Sequence, residues 1–249
     1  MNILRWSVKA LFVLALVGAV AGCGRTVDPH AAWRGVVTQV STYPSLLEGR
    51  YDGQLAVSNL VVFGDHGLGT FDGLDGEMVV RDGVVYRITP DQVASVVSPD
   101  TTTPFAQVTW FTPDEVYNVM AMDQNQFLKT MNWKHPDDGR IRAIRITGHF
   151  KELHLRSVPR QSKPYLSLDK VVLEHEAQYT LTNVTGTLIG FYAPAAAGTI
   201  LPRGFHLHFL STDATTGGHV YDFTLSAARI ELSTAPELRV LLPTLPAEK

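Results

Sequence analysis

The sequence predicts a mixed fold of the α+β or α/β class, rich in strands with a few scattered helices. Three observations carry that expectation. Short apolar runs bounded by turn residues recur along most of the chain, which is a strand pattern. Asp82-Gly83 joins two such runs, and Asp-Gly between apolar runs marks a tight hairpin because both central turn residues need positive φ. Helix signals are few by comparison. With 249 residues, 45% hydrophobic and 18% charged, the chain is long enough to bury roughly 70–75% of its unfolded surface without covalent staples. The composition excludes a disordered tail, a coiled coil, a collagen-like repeat and a disulfide mini-protein. The formal charge is −3, and no basic cluster stands out, which argues against a nucleic-acid partner.

The first segment reads as an address. Arg5 and Lys9 precede an uncharged run from Ala10 to Ala21, too short for a membrane span of about 20 residues. A basic start, a short apolar stretch and small residues at its end make residues 1–22 a secretory signal peptide. The run ends Val20-Ala21-Gly22-Cys23, which resembles the bacterial lipobox, where cleavage leaves a lipid-bearing cysteine. Cys23 is the only cysteine, so its lipidation leaves no thiol for catalysis, metal binding or a disulfide. The expected product is an extracytoplasmic, membrane-anchored protein with a tether up to residue 40.

Along the mature chain, Ser45–Arg50 with Gln54–Phe63 holds a helix signal. The stretch Gly67–Glu77 is Gly-rich but lacks a P-loop lysine, so it reads as a turn-rich loop between strands. Gly76–Ile88 is the hairpin around Asp82-Gly83. Thr112-Pro113-Asp114-Glu115 looks like a helix start, with a Thr cap, Pro at the first position and acids in the first turn, predicting a helix over Pro113–Met131. The polar loop Asn132–Gly139 divides the mature chain into halves, residues 41–139 and 140–249. Arg140–Phe150 alternates as a strand, and Ser167 opens a helix through Ala177. Further strands fall at Val184–Phe191, Phe205–Leu210, Val220–Leu225 and Leu238–Leu242.

Three of the nine histidines form a pattern. In Phe205-His206-Leu207-His208-Phe209, period two puts both histidines on one strand face. A polar segment ending in Gly217-Gly218, read as a turn, brings His219 back on a following strand. Three imidazoles with open positions are the arrangement of a catalytic zinc site, and nitrogen ligands favour Zn, Fe, Cu or Ni over Mg or Ca. A bare His-x-His also occurs as two surface residues on a half-exposed strand. Arg156 reads either as a solvated surface residue or as an anion clamp.

Seven stretches, in order, resemble the α-acetolactate decarboxylase family. They are Gly64–Phe71, Leu74–Glu77, Asp82–Tyr86, Thr103–Ala106, Arg156–Tyr165, Gly186–Phe191 and Gly204–Ser211 continuing through Gly217–Val220. Together they span roughly residues 50–243. The resemblance implies two mixed sheets with helices, each half contributing to one site, often in a homodimer. It implies zinc held by His206, His208 and His219, with Glu77 and Arg156 beside the metal and Thr70 lining the same pocket. It also implies a C-terminal glutamate near the metal; Glu248 is the only acid in the last eight residues, and its alignment is open.

The implied reaction converts 2-acetolactate to acetoin and CO2, with the metal stabilising an enediolate as a Lewis acid and no organic cofactor. Glu77 then handles the hydroxyl proton or positions water, and Arg156 orients the carboxylate, neutralises developing charge or sits on the path of the proton, with the proton donor open between Arg156, Glu77 and a water. Two other readings compete. One is a metal- or solute-binding lipoprotein without catalysis. The other is a cupin-like metalloenzyme, although no Glu closely follows His208.

Overall fold

The computed structural model describes residues 30–242. Cys23, the signal peptide and Glu248 lie outside them. In chain order the elements are β1 (Val36–Val40), α1 (Tyr43–Leu47), β2 (Leu55–Ala56), α2 (Val57–Leu60), β3 (His66–Thr70), β4 (Glu77–Arg81), β5 (Val84–Ile88), β6 (Ala94–Val96), β7 (Thr102–Thr103), β8 (Ala106–Thr109) and β9 (Glu115–Asp123). Then come α3 (Gln124–Lys134), β10 (Ile141–Ser157), α4 (Leu168–His175), β11 (Ala177–Ala193), β12 (Gly204–Ser211), β13 (Gly217–Ala235) and β14 (Glu237–Leu241). Among the described residues no helix is long and apolar enough to cross a membrane.

Among the described residues two large sheets make up the body, as expected of the mixed class, and β2 pairs with β7 in a third, two-stranded sheet. The first has seven strands in the order β14-β1-β8-β3-β4-β5-β6, antiparallel except for the β1–β14 pair. In the second, β10 pairs with β11 and β13, and β12 pairs with both of those, so four strands close into a ring; β9 adds outside β13. The ring and α3 enclose a core that includes Phe127, Phe150, Phe209 and Phe223. Val79, Ile88, Ile189 and Leu210 form a buried cluster between the sheets, as do Leu68, Ala143 and Phe191. At about 25 cal/mol per Å² this burial is the main term holding the sheets together.

The Asp82-Gly83 turn forms as expected, with φ of 52° and 78°. Several expectations are corrected. The helix predicted over Pro113–Met131 is a strand up to Asp123. Val116, Tyr117 and Val119 favour a pleated surface, and Tyr117, Val119 and Met122 pack on the ring core. The helix proper starts one residue later: Asp123 accepts from the Gln126 backbone and Gln126 returns the bond, a capping box. The Gly67–Thr70 stretch is a strand, because the backbone of β8 runs against it. A Cβ at Gly67 would sit 2.2 Å from the Gln107 carbonyl, and one at Gly69 2.4 Å from that of Phe105. The turn proper is confined to Phe71–Gly76. The helix signal over residues 45–63 divides into α1, which starts at Tyr43 under a Thr42 cap, and α2. The helix opened at Ser167 ends at His175 rather than Ala177.

The tether expected up to residue 40 is also corrected. Val36–Val40 is fully buried between β14 and β8. Nor does the loop at residues 132–139 separate the sheets. β9 precedes it yet joins the second sheet, and β14 follows it yet joins the first.

Candidate active site

Residues from both sheets line a cavity of about 180 Å3. One wall is polar: Thr70 and Glu77 from the first sheet, and Arg156, His206, His208 and His219 from the second. The rest of the lining is mostly apolar and includes Leu46, Leu74, Phe105, Val158, Leu168 and Phe205, together with Tyr43. Pockets for drug-sized ligands run to roughly 300–1,000 Å3, so this one suits a small molecule.

The histidines come from the seam that closes the ring. His208 lies opposite His219 in the β12–β13 register. His206 precedes His208 by two residues and shares its face. The Gly217-Gly218 pair, expected as a turn, is the start of β13; the turn is Thr212–Thr216, closed by Ser211 N donating to the Thr216 carbonyl. The ring centroids lie 5.0–5.2 Å apart, and one nitrogen from each falls within 4.8 Å of the others.

Burial pushes all three imidazoles well below their ordinary pKa, His208 to about 3, and the Arg156 charge adds to the shift. They are therefore neutral and offer lone pairs, the form a metal requires. His208 Nδ1 lies 2.8 Å from the Met78 carbonyl; donating there fixes the tautomer and turns Nε2 into the cavity as an acceptor. His206 Nδ1 is buried with no hydrogen-bond partner. Three imidazoles that bring one nitrogen each within 4.8 Å, one ring with a hydrogen-bond-free Nδ1, fit a transition metal ion.

Glu77 opens β4, opposite Thr70 at the end of β3. The Thr70 hydroxyl donates to the Gly76 carbonyl at 2.8 Å, so it braces the turn that delivers Glu77. Glu77 Oε2 lies 3.4 Å from His208 Nε2, and Oε1 accepts from Arg156 Nη1 at 2.6 Å. Burial raises the Glu77 carboxyl above its ordinary pKa; the Arg156 charge pulls it back down, and Glu176 pushes it up again. Arg156 lies across from His219 in the β10–β13 pairing. A register shift between His154 and Leu155 puts it there; without the extra residue at the bulge it would face Val220.

Thus Thr70, Glu77, Arg156 and the three histidines gather at one cavity. Sequence reading missed Tyr43, for which no signal exists, and Tyr221, whose ring lies 5.7 Å from that of His219. Tyr221 follows His219 by two residues on a strand, so periodicity offered a cue. Tyr179, whose hydroxyl donates to the Gly217 carbonyl and packs against Gly218, was also missed.

The alpha-acetolactate decarboxylase family model matches residues 37–247. An alpha-acetolactate decarboxylase of Methanosarcina mazei is 39% identical over 209 residues, covering 84% of this chain and 72% of its own. One from Bacillus subtilis strain 168 is 38% identical over 208 residues, covering 83% and 81%. The crystal structure of alpha-acetolactate decarboxylase from Bacillus subtilis strain 168 superimposes with a TM-score of 0.82 at 37% identity, over 84% of this chain and 90% of that one. A mixed-sheet fold shared over that length, with that identity, means that this chain belongs to the alpha-acetolactate decarboxylase family.

Proposed function

We propose that this protein is a zinc-dependent decarboxylase that converts 2-acetolactate to acetoin and CO2. One observation carries the reading: the three neutral histidines share a small cavity with a buried Glu77–Arg156 pair, in a chain of this family. His206, His208 and His219 would hold the zinc. Bound there, zinc supplies a Lewis acid that withdraws the electron pair left when CO2 departs, with no redox change.

The chain's own residues supply the rest. Arg156 attracts the substrate carboxylate and orients it for loss. Glu77, held off water and beside His208, takes the hydroxyl proton of the substrate at Oε2 as CO2 departs and delivers it to the carbon that CO2 left; the oxygen is then reprotonated from solvent, so one proton is taken up for each CO2 released. The apolar lining around Phe105, Val158 and Phe205 receives the methyl groups and keeps water from the reacting carbon. The Glu77–Arg156 pair supports catalysis over simple metal storage, since a storage site has no use for a buried, proton-handling carboxylate.

The decisive experiment measures CO2 and acetoin release from racemic acetolactate against the spontaneous background. Turnover lost to a chelator and restored by zinc is the expected result. No rate above background in zinc-loaded protein overturns the reading. The lipobox extends it to an extracytoplasmic enzyme anchored through Cys23. Family likeness extends it to a homodimer, which light scattering tests.

A further inference from the structure

Glu176 is a nearly buried acid with no part in the chemistry above. It stands at the C-terminal end of α4, just before β11. An acidic side chain there faces the negative end of the helix dipole, so helix stability gives no reason for it. Its contacts point to Arg156. Glu176 Oε2 lies 3.5 Å from Arg156 Nε and accepts from the Tyr221 hydroxyl at 2.5 Å, while Oε1 accepts from Gln178 Nε2 at 2.5 Å. Arg156 Nε makes no hydrogen bond, so Glu176 holds it by charge alone. The Tyr221 ring lies 5.8 Å from the guanidinium carbon. On the other side, Glu77 grips Nη1 at 2.6 Å. Among the described residues, Nη2 has no partner.

We propose that Glu176 is a positioning residue for Arg156. Anchored by Tyr221, it fixes the guanidinium between two carboxylates, so that Nη2 is the donor offered to the carboxylate of a small 2-hydroxy acid in the cavity. The identity of the substrate rests on the decarboxylase reading; the recognition of a carboxylate does not.

Calorimetric titration of the zinc-loaded protein separates the two. Lactate is the carboxylate probe, and propane-1,2-diol is its neutral counterpart of similar shape. Wild type is expected to prefer lactate. Glu176→Gln is expected to weaken lactate binding about tenfold, the size of one weakened charge-assisted hydrogen bond, with diol affinity and zinc content unchanged. Glu176→Asp is expected to recover part of the loss. In an Arg156→Lys background, Glu176→Gln is expected to add nothing, because the two residues act as one unit. Equal loss of both ligands, loss of zinc, or no lactate preference in wild type overturns the proposal. Should Glu176→Gln not fold, Tyr221→Phe, which frees the Glu176 carboxylate, is expected to show the same selective loss, and an unchanged lactate affinity there overturns it. A wild type that prefers lactate yet turns over no acetolactate would refute the decarboxylase reading alone.

Discussion

Arg156 Nη1 donates to Glu77 Oε1 at 2.6 Å, and the two side chains are only 12% and 6% exposed. They come from different sheets, so this bond ties the first sheet to the second at the cavity. A buried ion pair of this kind adds little net stability, because desolvation offsets the Coulomb attraction; breaking it from one side is costly. Arg156→Ala is therefore expected to destabilise the metal-free protein by about 3–5 kcal/mol, since Glu77 stays buried without its counter-charge. Urea unfolding of both proteins measures this.

Glu77→Gln keeps the shape and removes the proton acceptor. It is expected to lower kcat by about 10²–10⁴ while zinc content stays at the wild-type level. Initial rates alongside metal analysis check both halves. A variant that retains full kcat would exclude Glu77 as the proton-handling group.

His208→Ala is expected to abolish zinc binding and turnover together. Its Nε2 is the nitrogen turned toward the cluster, and its Nδ1 bond to the Met78 carbonyl sets that orientation. Metal analysis after dialysis, paired with the acetoin assay, tests this. Full turnover in the metal-free variant would refute the zinc mechanism.

Gly218 admits no side chain. A Cβ there would sit 2.5 Å from the Tyr179 hydroxyl and 2.9 Å from the Arg156 carbonyl. Gly218→Ala is expected to displace the neighbouring His219 and to weaken zinc affinity about 10–100-fold. Adding Tyr179→Phe removes the nearer obstacle, so the double variant is expected to regain part of that affinity in a competitive chelator titration.

His66, which is not one of the three clustered histidines, supplies a pH dependence of stability. It is fully buried and stacked on Phe111 at 4.5 Å. Burial, then the Arg145 charge, lowers its pKa from 6.5 to about 3. Between those values the unfolded chain carries the extra proton, so stability is full above pH 6.5 and falls as pH drops toward 3. The slope is about 1 kcal/mol per pH unit. His66→Leu is expected to flatten this part of the profile, measured by urea unfolding from pH 7.5 to pH 4.

Cys23→Ser is expected to move the protein from the membrane fraction to the soluble fraction. An unchanged membrane fraction would refute the anchor.

Local chemistry alone made much of this protein legible. The Asp82-Gly83 turn, the strand bearing His206 and His208, and the start of α4 depend on residues a few positions apart, where sterics and periodicity act directly. The resemblance added Thr70 and Glu77, which no spacing argument reaches, and chose between the two readings of Arg156. The sequence misled where a local signal lost to a distant partner. Thr112-Pro113 imitates a helix start, yet Glu115–Asp123 pairs with Thr224–Leu232 as a strand. The Gly67–Thr70 stretch imitates a loop, yet β8 claims it for the sheet.

Only the tertiary structure decided the register on which the site depends. Strand pairing between residues far apart in the chain is set by which faces can be buried together, and a slip of one residue turns a side chain to the opposite face. The bulge between His154 and Leu155 makes that slip and puts Arg156 across from His219 rather than Val220. The same long-range packing brings Glu77 from one sheet and Glu176 from the end of α4 to either side of the guanidinium. The sequence by itself determined which groups the protein owns; the packing of the two sheets determined which of them meet.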